Sequence, residues 1–421
     1  MTPHPTPTTL PEATAKSTGA TVRGDDLLVS GTAATSTVTA TVAAMALAAC
    51  GGNDAQPAAT SETVIALAGA FGASSANLQL PMATDEDDGT ARETAQAAAP
   101  PAAAPLTRLQ ASRFLSQAAF GGDAAAIAEV QRLGVAGWLD TEFAKPITGN
   151  YLAMMSEGGA DNTGPASVSD GRYGVEYAIW RKMISNPDVL RQRVTLALTE
   201  IIVVSVISVL LPRRGYAAAQ FMDVLESEAF GNWRNLLLKV STTPAMGAYL
   251  TFRNNKKADP ATGSSPDENY AREIMQLFTI GPIKLNLDGT PVLDAKGAAE
   301  ESYKGADVGG LARVFTGWVS GDDVAISPMR QDARFHETGA KTFLGTTIEA
   351  NTDGVRSLEL AIDTLMKHPN MGPFIARQLI QRLVTSNPGK AYVTHVANAF
   401  NGDGVRPKGD LQATIRAILS W

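Results

Sequence analysis

The chain reads as mainly α, a multi-helix globular domain with small β hairpins, preceded by a disordered N-terminal arm. Three observations carry this reading. Beyond Leu106 the apolar residues recur at helical spacing: Leu190, Val194, Ala197, Ile201 and Val204 are separated by four, three, four and three, which lays one stripe along a helix. Glycine and proline stand at the ends of such stripes, where helices stop. Before Leu106 no stripe exists. Residues 51–105 are dominated by Ala, Gly, Ser, Thr and Pro, a composition that buries too little apolar surface to offset its ordering entropy.

The predicted organisation is therefore a signal region over 1–50, an Ala/Pro-rich acidic linker over 51–105 and a helical domain over 106–421. Cys50 is the only cysteine in 421 residues, and it closes Leu47-Ala48-Ala49-Cys50-Gly51-Gly52. Ten of the twelve residues from 38 to 49 are apolar. That length suits a signal h-region and falls short of a permanent membrane helix, which takes about 20 residues. Small residues at 48 and 49 admit a peptidase, and the Cys50 thiol is then the lipidation site and the first mature residue. The expected location is outside the cytoplasm, lipid-anchored in the bacterial cell envelope, periplasm or outer membrane. Lys16 and Arg23 lie far upstream, with Asp25 and Asp26 between, a poor basic n-region. A mis-assigned start codon or an early frameshift accounts for it; the bland alternative is an ordinary thiol in a low-complexity arm.

Charge narrows the function classes. The first 105 residues hold three basic and ten acidic side chains, which leaves 32 of each for the helical domain. A balanced domain is not the strongly basic surface that nucleic acid requires, so no nucleic-acid partner is expected.

Along the domain, Phe114, Leu115, Ala118 and Ala119 form an apolar face that stops at Gly121-Gly122. Asp123 caps the next helix, in which Ile127, Val130 and Leu133 share a side before Gly134 ends it. For 205–211, β-branched and apolar, periodicity leaves strand and helix both open; two serines in 201–211 argue against a membrane span. Ser265-Pro266-Asp267-Glu268 predicts a helix start, with serine and glutamate as a capping box and proline at the first helical position. Tyr270, Ile274, Leu277 and Phe278 follow as the buried stripe until Gly281 turns the chain. Residues 285–293 read as a β-hairpin around Asp288-Gly289. Val355, Leu358, Ile362 and Leu365 mark a helix ending before His368-Pro369, and Met371, Ile375, Leu379 and Leu383 another ending near Asn387-Pro388.

Candidate chemistry is thin. His336-Glu337 opens like a metalloprotease motif, but Ala340 stands where the second histidine belongs, and no metal site is expected. His336 in its glycine-containing loop is either a functional imidazole or a turn-former. His368 closes a helix before proline, where an imidazolium is favoured by the helix dipole. His395, between Val393 and Val396, reads as a partly buried helix residue. Asp267, Glu268 and Glu273 are the carboxylates for an acid/base or cation-site reading; against it, first-turn acids are stabilised by about 0.3 to 1 kcal/mol, and Glu268 with Arg272 is an i, i+4 pair. Arg191, Arg193, Arg313, Arg377 and Arg382 recur on helices with apolar stripes. Internal ion pairs, with Glu200 or Glu273 as partners, are the default. The sharper alternative is an anion pocket for sulfate, phosphate or acidic sugar. Asn401-Gly402-Asp403-Gly404 lacks the alternating oxygen ligands of a calcium loop and reads as a tight turn. No cofactor is indicated, since nucleophile-elbow, Walker and dinucleotide fingerprints are absent from the sequence.

Five of these segments carry a resemblance: 191–205, ADPATGSSPDENYAREIMQLFTIG ending at Gly281, LARVFTGW from Leu311, FHETGAKTFLG from Phe335, and 368–388. Together they resemble the domain of unknown function 1800 family from about Leu106 to the end. The resemblance implies a bacterial exported protein of uncharacterised role, with no catalytic residues to carry over. It also implies a partner, an exported sulfatase-like protein of the domain of unknown function 1501 family, whose genes often neighbour such proteins. In similar proteins the helix from Gly409-Asp410-Leu411 continues, whereas this chain stops at Trp421. The expectation is a C-terminally truncated frame that leaves the Ile415, Ile418 and Leu419 face uncovered. Three functions follow: a non-catalytic binding or accessory protein of the envelope, a hydrolase of an extracellular polymer using the His336 and carboxylate set, or a structural assembly component.

Overall fold

The structure, a computed structural model, describes residues 105–157 and 172–421. The signal region with Cys50 and the linker up to residue 104 lie outside the described residues.

The described residues hold fourteen α-helices and two small antiparallel hairpins, the mainly helical class that the apolar spacing predicts. Helix α1 (Arg108–Ala118) starts at a capping box between Thr107 and Gln110 and buries Phe114, Leu115 and Ala118. In α2 (Ala124–Ala144), Asp123 caps the Ala126 N–H as expected. The helix does not end at Gly134 but breaks there, where φ is +67°, and resumes. Helices α3 (Tyr151–Glu157), α4 (Arg172–Ser185) and α6 (Arg214–Ser227) share a satellite core of Tyr151, Met155, Val175, Ala178, Ala219 and Met222. Helix α5 (Val189–Thr199) joins them to the main core, with Leu190, Val194 and Ala197 buried. The 205–211 stretch is neither strand nor helix: Ser208 and Val209 turn back on the Ser205 carbonyl.

The main core gathers around α7 (Trp233–Val240) and α8 (Pro244–Tyr249). Trp233 is enclosed, its indole N–H donating to the Phe278 carbonyl at 3.2 Å. Phe252 stacks on Tyr270 at 4.2 Å, and Phe315 meets Tyr270 edge-on at 4.7 Å. The predicted capping box at Ser265 is replaced. Helix α9 (Asn269–Gln276) starts three residues later because Asn255 holds the Asp267 backbone, accepting its N–H at 2.9 Å and donating to its carbonyl at 3.2 Å. Asp267 then accepts the Asn269 N–H at 2.8 Å. Two long-range hydrogen bonds outweigh a local propensity.

The hairpin around Gly289 is present as a bridge between Leu285 and Pro291. It belongs to a larger ring in which Lys284 N donates to Glu300, Glu300 N to Val292 and Val292 N to Lys284, at 2.7 to 2.9 Å. After α10 (Gly305–Ala312) and a short 3-10 turn come β1 (Trp318–Val319) with β2 (Arg330–Gln331), then β3 (Lys341–Phe343) with β4 (Thr346–Ile348). Helices α11 (Gly354–Lys367), α12 (Met371–Leu383), α13 (Lys390–Asn401) and α14 (Leu411–Leu419) complete the fold. The α12 stripe is buried throughout. In α11, Val355 is exposed and Ser357 is buried instead. The face of α14 expected to be uncovered is buried at Ile415, Ile418 and Leu419. Among the described residues no helix is long and apolar enough to cross a membrane.

Candidate functional site

The His336 loop is part of the interior. The ring is only 3% exposed. Its Nδ1 donates to the Thr316 carbonyl at 2.9 Å, and its Nε2 faces the Ser357 hydroxyl at 3.4 Å. Burial lowers its pKa below the ordinary value, against the backbone groups of Thr316 and Thr352, and the ring serves as a core hydrogen-bonding residue. Its neighbour Glu337 accepts the Gly339 N–H at 2.9 Å and faces Arg313 at 3.5 Å. Burial alone would raise this carboxyl; the Gly339 N–H and the Arg313 guanidinium outweigh it and hold the pKa low. Arg313 also donates to the Ala340 carbonyl at 2.7 Å.

The His336 ring hydrogen-bonds Thr316 and faces Ser357, and none of the α9 carboxylates is among its partners. Asp267 is taken by Thr251 and the Asn269 N–H. Glu268 pairs with Arg272 at 3.2 Å on the surface, as the i, i+4 spacing predicts. Glu273 is half-buried with no side-chain hydrogen bond, and burial raises its pKa, opposed by Arg272. Among the described residues no three His, Cys, Asp or Glu side chains assemble as metal ligands. His368 accepts the Asn370 N–H on Nδ1 at 3.2 Å, and burial lowers its pKa. It is a neutral cap, and the cation expected at that helix end is Lys408, donating to the His368 carbonyl at 3.1 Å. His395 is exposed beside Trp421, with ring centroids 5.0 Å apart.

The arginines divide into two groups. Arg191 is buried over the Phe230 ring at 4.4 Å, with Asp188 at 3.5 Å, and Arg193 donates to the Arg382 carbonyl at 2.6 Å. These hold helices together. Arg377 and Arg382 instead line a groove of about 410 Å³ on α12. The groove forms because buried Asn370, at the start of α12, clamps the chain after α9: its Nδ2 donates to the Ile280 and Ile283 carbonyls at 2.9 and 2.6 Å, and its Oδ1 accepts the Leu285 N–H at 2.9 Å. Gly281 makes the turn at φ +70°, with the Phe374 ring 2.5 Å from where a Cβ would stand. Segment 281–285 is thereby one wall. The other is the α12 face carrying Phe374, Arg377, Gln378, Gln381 and Arg382. These positions, at i, i+3, i+4, i+7 and i+8, lie opposite the buried stripe. That spacing was the signal available in the sequence.

Arg377 makes no hydrogen bond or ion pair among the described residues. Arg382 donates from Nη2 to the Glu200 carbonyl at 3.2 Å, while its Nε is buried without a hydrogen-bond partner, 3.9 Å from the Glu200 carboxylate. Gln378 and Gln381 donate to the Leu277 and Ser386 carbonyls at 3.2 and 3.1 Å. A second cleft, of about 350 Å³ between α6 and α7, is lined by Gln220, Asp223, Ser227 and Lys239. Burial pushes Asp223 up to about 6, against the opposing N–H donors of Tyr151 and Leu152. Neither cleft is lined by His336, Glu337 or the α9 carboxylates.

Sequence reasoning passed over a buried polar cluster. Lys182 on α4 and Glu226 on α6 pair at 2.7 Å with no solvent contact, among Gln192, Asp188 and Tyr151. Its one sequence signal is Glu226 four residues after Met222 and seven after Ala219, a charge on an apolar helix face.

No curated protein and no solved structure matches the chain. A family described as "Protein of unknown function (DUF1800)" does match, over residues 113–420, which takes in every helix from α2 onward and most of α1. The chain belongs to that family.

Proposed function

We propose that the protein is an exported lipoprotein, anchored through Cys50, whose helical body binds rather than reacts and acts as an accessory protein of the bacterial envelope. One observation carries the choice of binding over catalysis. His336, the residue on which the hydrolase reading depends, is enclosed with both ring nitrogens directed at protein atoms, whereas the α12 groove keeps an unpaired guanidinium open. A general acid or base must reach its substrate. The Ala/Pro-rich composition of residues 51–105 suits a tether to a neighbour, and the exported sulfatase-like protein is the partner we assign.

The test is labelling in cells with an alkyne fatty acid. Wild-type protein should carry the label and sediment with the envelope, Cys50→Ala should do neither, and the sulfatase-like protein should co-purify with the wild type alone. Unlabelled protein recovered from the cytosol would overturn the reading. The hydrolase alternative keeps one specific observation, the half-buried Glu273, which makes no side-chain hydrogen bond among the described residues. Polymer hydrolysis by the purified chain that Glu273→Gln abolishes would favour it.

A further inference from the structure

We infer that the groove between segment 281–285 and α12 is a binding site for an acidic saccharide, one bearing carboxylate or sulfate groups. The inference deepens the binding half of the proposed function and is independent of the lipid anchor.

Charge comes first. Arg377 and Arg382 are the ionisable residues lining the groove, and no carboxylate lines it. Glu200 lies behind Arg382, 3.9 Å from its Nε, and tempers one of the two cations. Arg377 has no hydrogen-bond or ion-pair partner among the described residues, and Arg382 keeps only the Glu200 carbonyl and the more distant Glu200 carboxylate. An anion entering the groove is met by the exposed Arg377 guanidinium, whose planar fork matches the paired oxygens of a carboxylate or sulfate.

The remaining lining selects a sugar over a bare anion. The Gln378 and Gln381 amide nitrogens are turned toward main-chain carbonyls, so their oxygens remain as acceptors. Hydroxyl groups donate to such oxygens, and inorganic sulfate or phosphate has few protons or none to give. Phe374, Pro282 and Leu285 add an apolar surface on which the C–H face of a pyranose ring packs. The volume, about 410 Å³, lies in the range of small-molecule sites, roughly 300 to 1,000 Å³. The balanced charge of the domain, 32 basic and 32 acidic residues beyond residue 105, disfavours nucleic acid, the other common polyanion.

The experiment is calorimetric titration of the purified full chain with four probes: an oligogalacturonate, a sulfated oligosaccharide of equal length, the methyl-esterified neutral oligomer and inorganic sulfate. We expect saturable binding of one or both acidic oligomers, the two arms separating uronate from sulfate recognition, with no binding of the neutral oligomer or free sulfate. Arg377→Ala should weaken the binding at least tenfold with an unchanged unfolding midpoint, and Phe374→Ala should weaken it for both acidic oligomers. Arg382→Ala is the less clean variant, since Arg382 also ties α12 to Glu200; Arg377→Ala therefore decides. Absence of saturable binding to either acidic oligomer, or affinity indifferent to Arg377→Ala, overturns the inference. So does equal affinity for a single-stranded DNA oligomer that competes for the groove. Failure here alongside labelled Cys50 and a captured partner would remove the groove ligand and leave the accessory reading standing. The converse pattern would remove the anchor and keep the groove.

Discussion

The α4–α6 interior and the α12 groove both contain cations beside carboxamides, and they treat them in opposite ways. Inside, the Lys182 ammonium donates to Glu226 and to the Gly149 carbonyl and lies 4.6 Å from the Tyr151 ring centroid. Glu226 takes Gln192 at 2.6 Å, Gln192 takes the Tyr151 hydroxyl at 3.0 Å, and Asn186 reaches Asp188 at 3.1 Å. On α12, Arg377 is unpaired and Arg382 is only partly satisfied. A charge withdrawn from water survives only when its partners replace the lost hydration. The interior cluster is therefore architecture, fixing four helices against one another, whereas the groove presents an exposed guanidinium to another molecule; isolated unpartnered atoms such as Arg191 Nε and Lys341 Nζ are enclosed in the body.

The largest expected effect comes from opening the closed cluster. Glu226→Ala leaves Lys182 buried without its carboxylate, and stability should fall by about 3 to 5 kcal/mol in urea denaturation. The paired change Lys182→Met with Glu226→Leu removes both charges and should restore most of that loss. A Glu226→Ala loss below about 1 kcal/mol would mean that water reaches Lys182, and the contrast between the two regions would fail.

Asp223 stands between the two cases, on the edge of the interior cluster and in the wall of the second cleft. Its folded-state pKa is raised from 3.8 to about 6 by burial. A carboxyl whose pKa rises on folding binds its proton more tightly when folded, so its stabilisation is complete below pH 4 and disappears as pH rises through 6. The contribution lost is about 3 kcal/mol at most. Other carboxylates titrate in the same window, so the readout is a difference: relative to wild type, Asp223→Asn should gain stability as pH moves from 4 to 7. Parallel pH profiles would place Asp223 in contact with bulk water.

The fold was legible because its signal is redundant. Stripes such as Met371, Ile375, Leu379 and Leu383 repeat a local period, and each added turn restates the same face. The Asp123 cap and the turn at Gly281 were legible for a related reason, since each is a requirement of the local backbone. Failures fell where a distant residue decides. The Ser265 capping box yields to Asn255, and His336 is drawn inward by Thr316 and Ser357. For the site, the sequence supplied Arg377 and Arg382 among five arginines, and spacing placed them on the outer face of α12 without showing which of the five lacks a partner. Separation depends on whether a partner lies within reach, which is set by α5 and the Asn370 clamp rather than by spacing along α12.

Gly281→Ala probes the hinge of the groove. A Cβ there combines a positive φ with the Phe374 ring at 2.5 Å, and strain of this kind costs about 1 to 3 kcal/mol. The expected outcome is a loss in that range, read by thermal or urea unfolding, with Phe374 displaced and the groove narrowed. A smaller loss would mean that the ring moves aside freely and that the wall formed by segment 281–285 is adaptable.

The smallest effect is the most discriminating. Arg377→Ala removes a side chain that holds no other residue in place, and surface changes of that kind stay within about 0.5 kcal/mol. Arg382→Ala also breaks the link to Glu200 and should cost about 1 to 2 kcal/mol more. Measured side by side in urea, the two should separate even though they lie five residues apart on one helix face. Equal losses would give Arg377 a structural partner and return the groove to the same class as the interior cluster. A neutral Arg377→Ala shows that this charge does nothing for the folded chain alone, which is the property a residue kept for recognition must have.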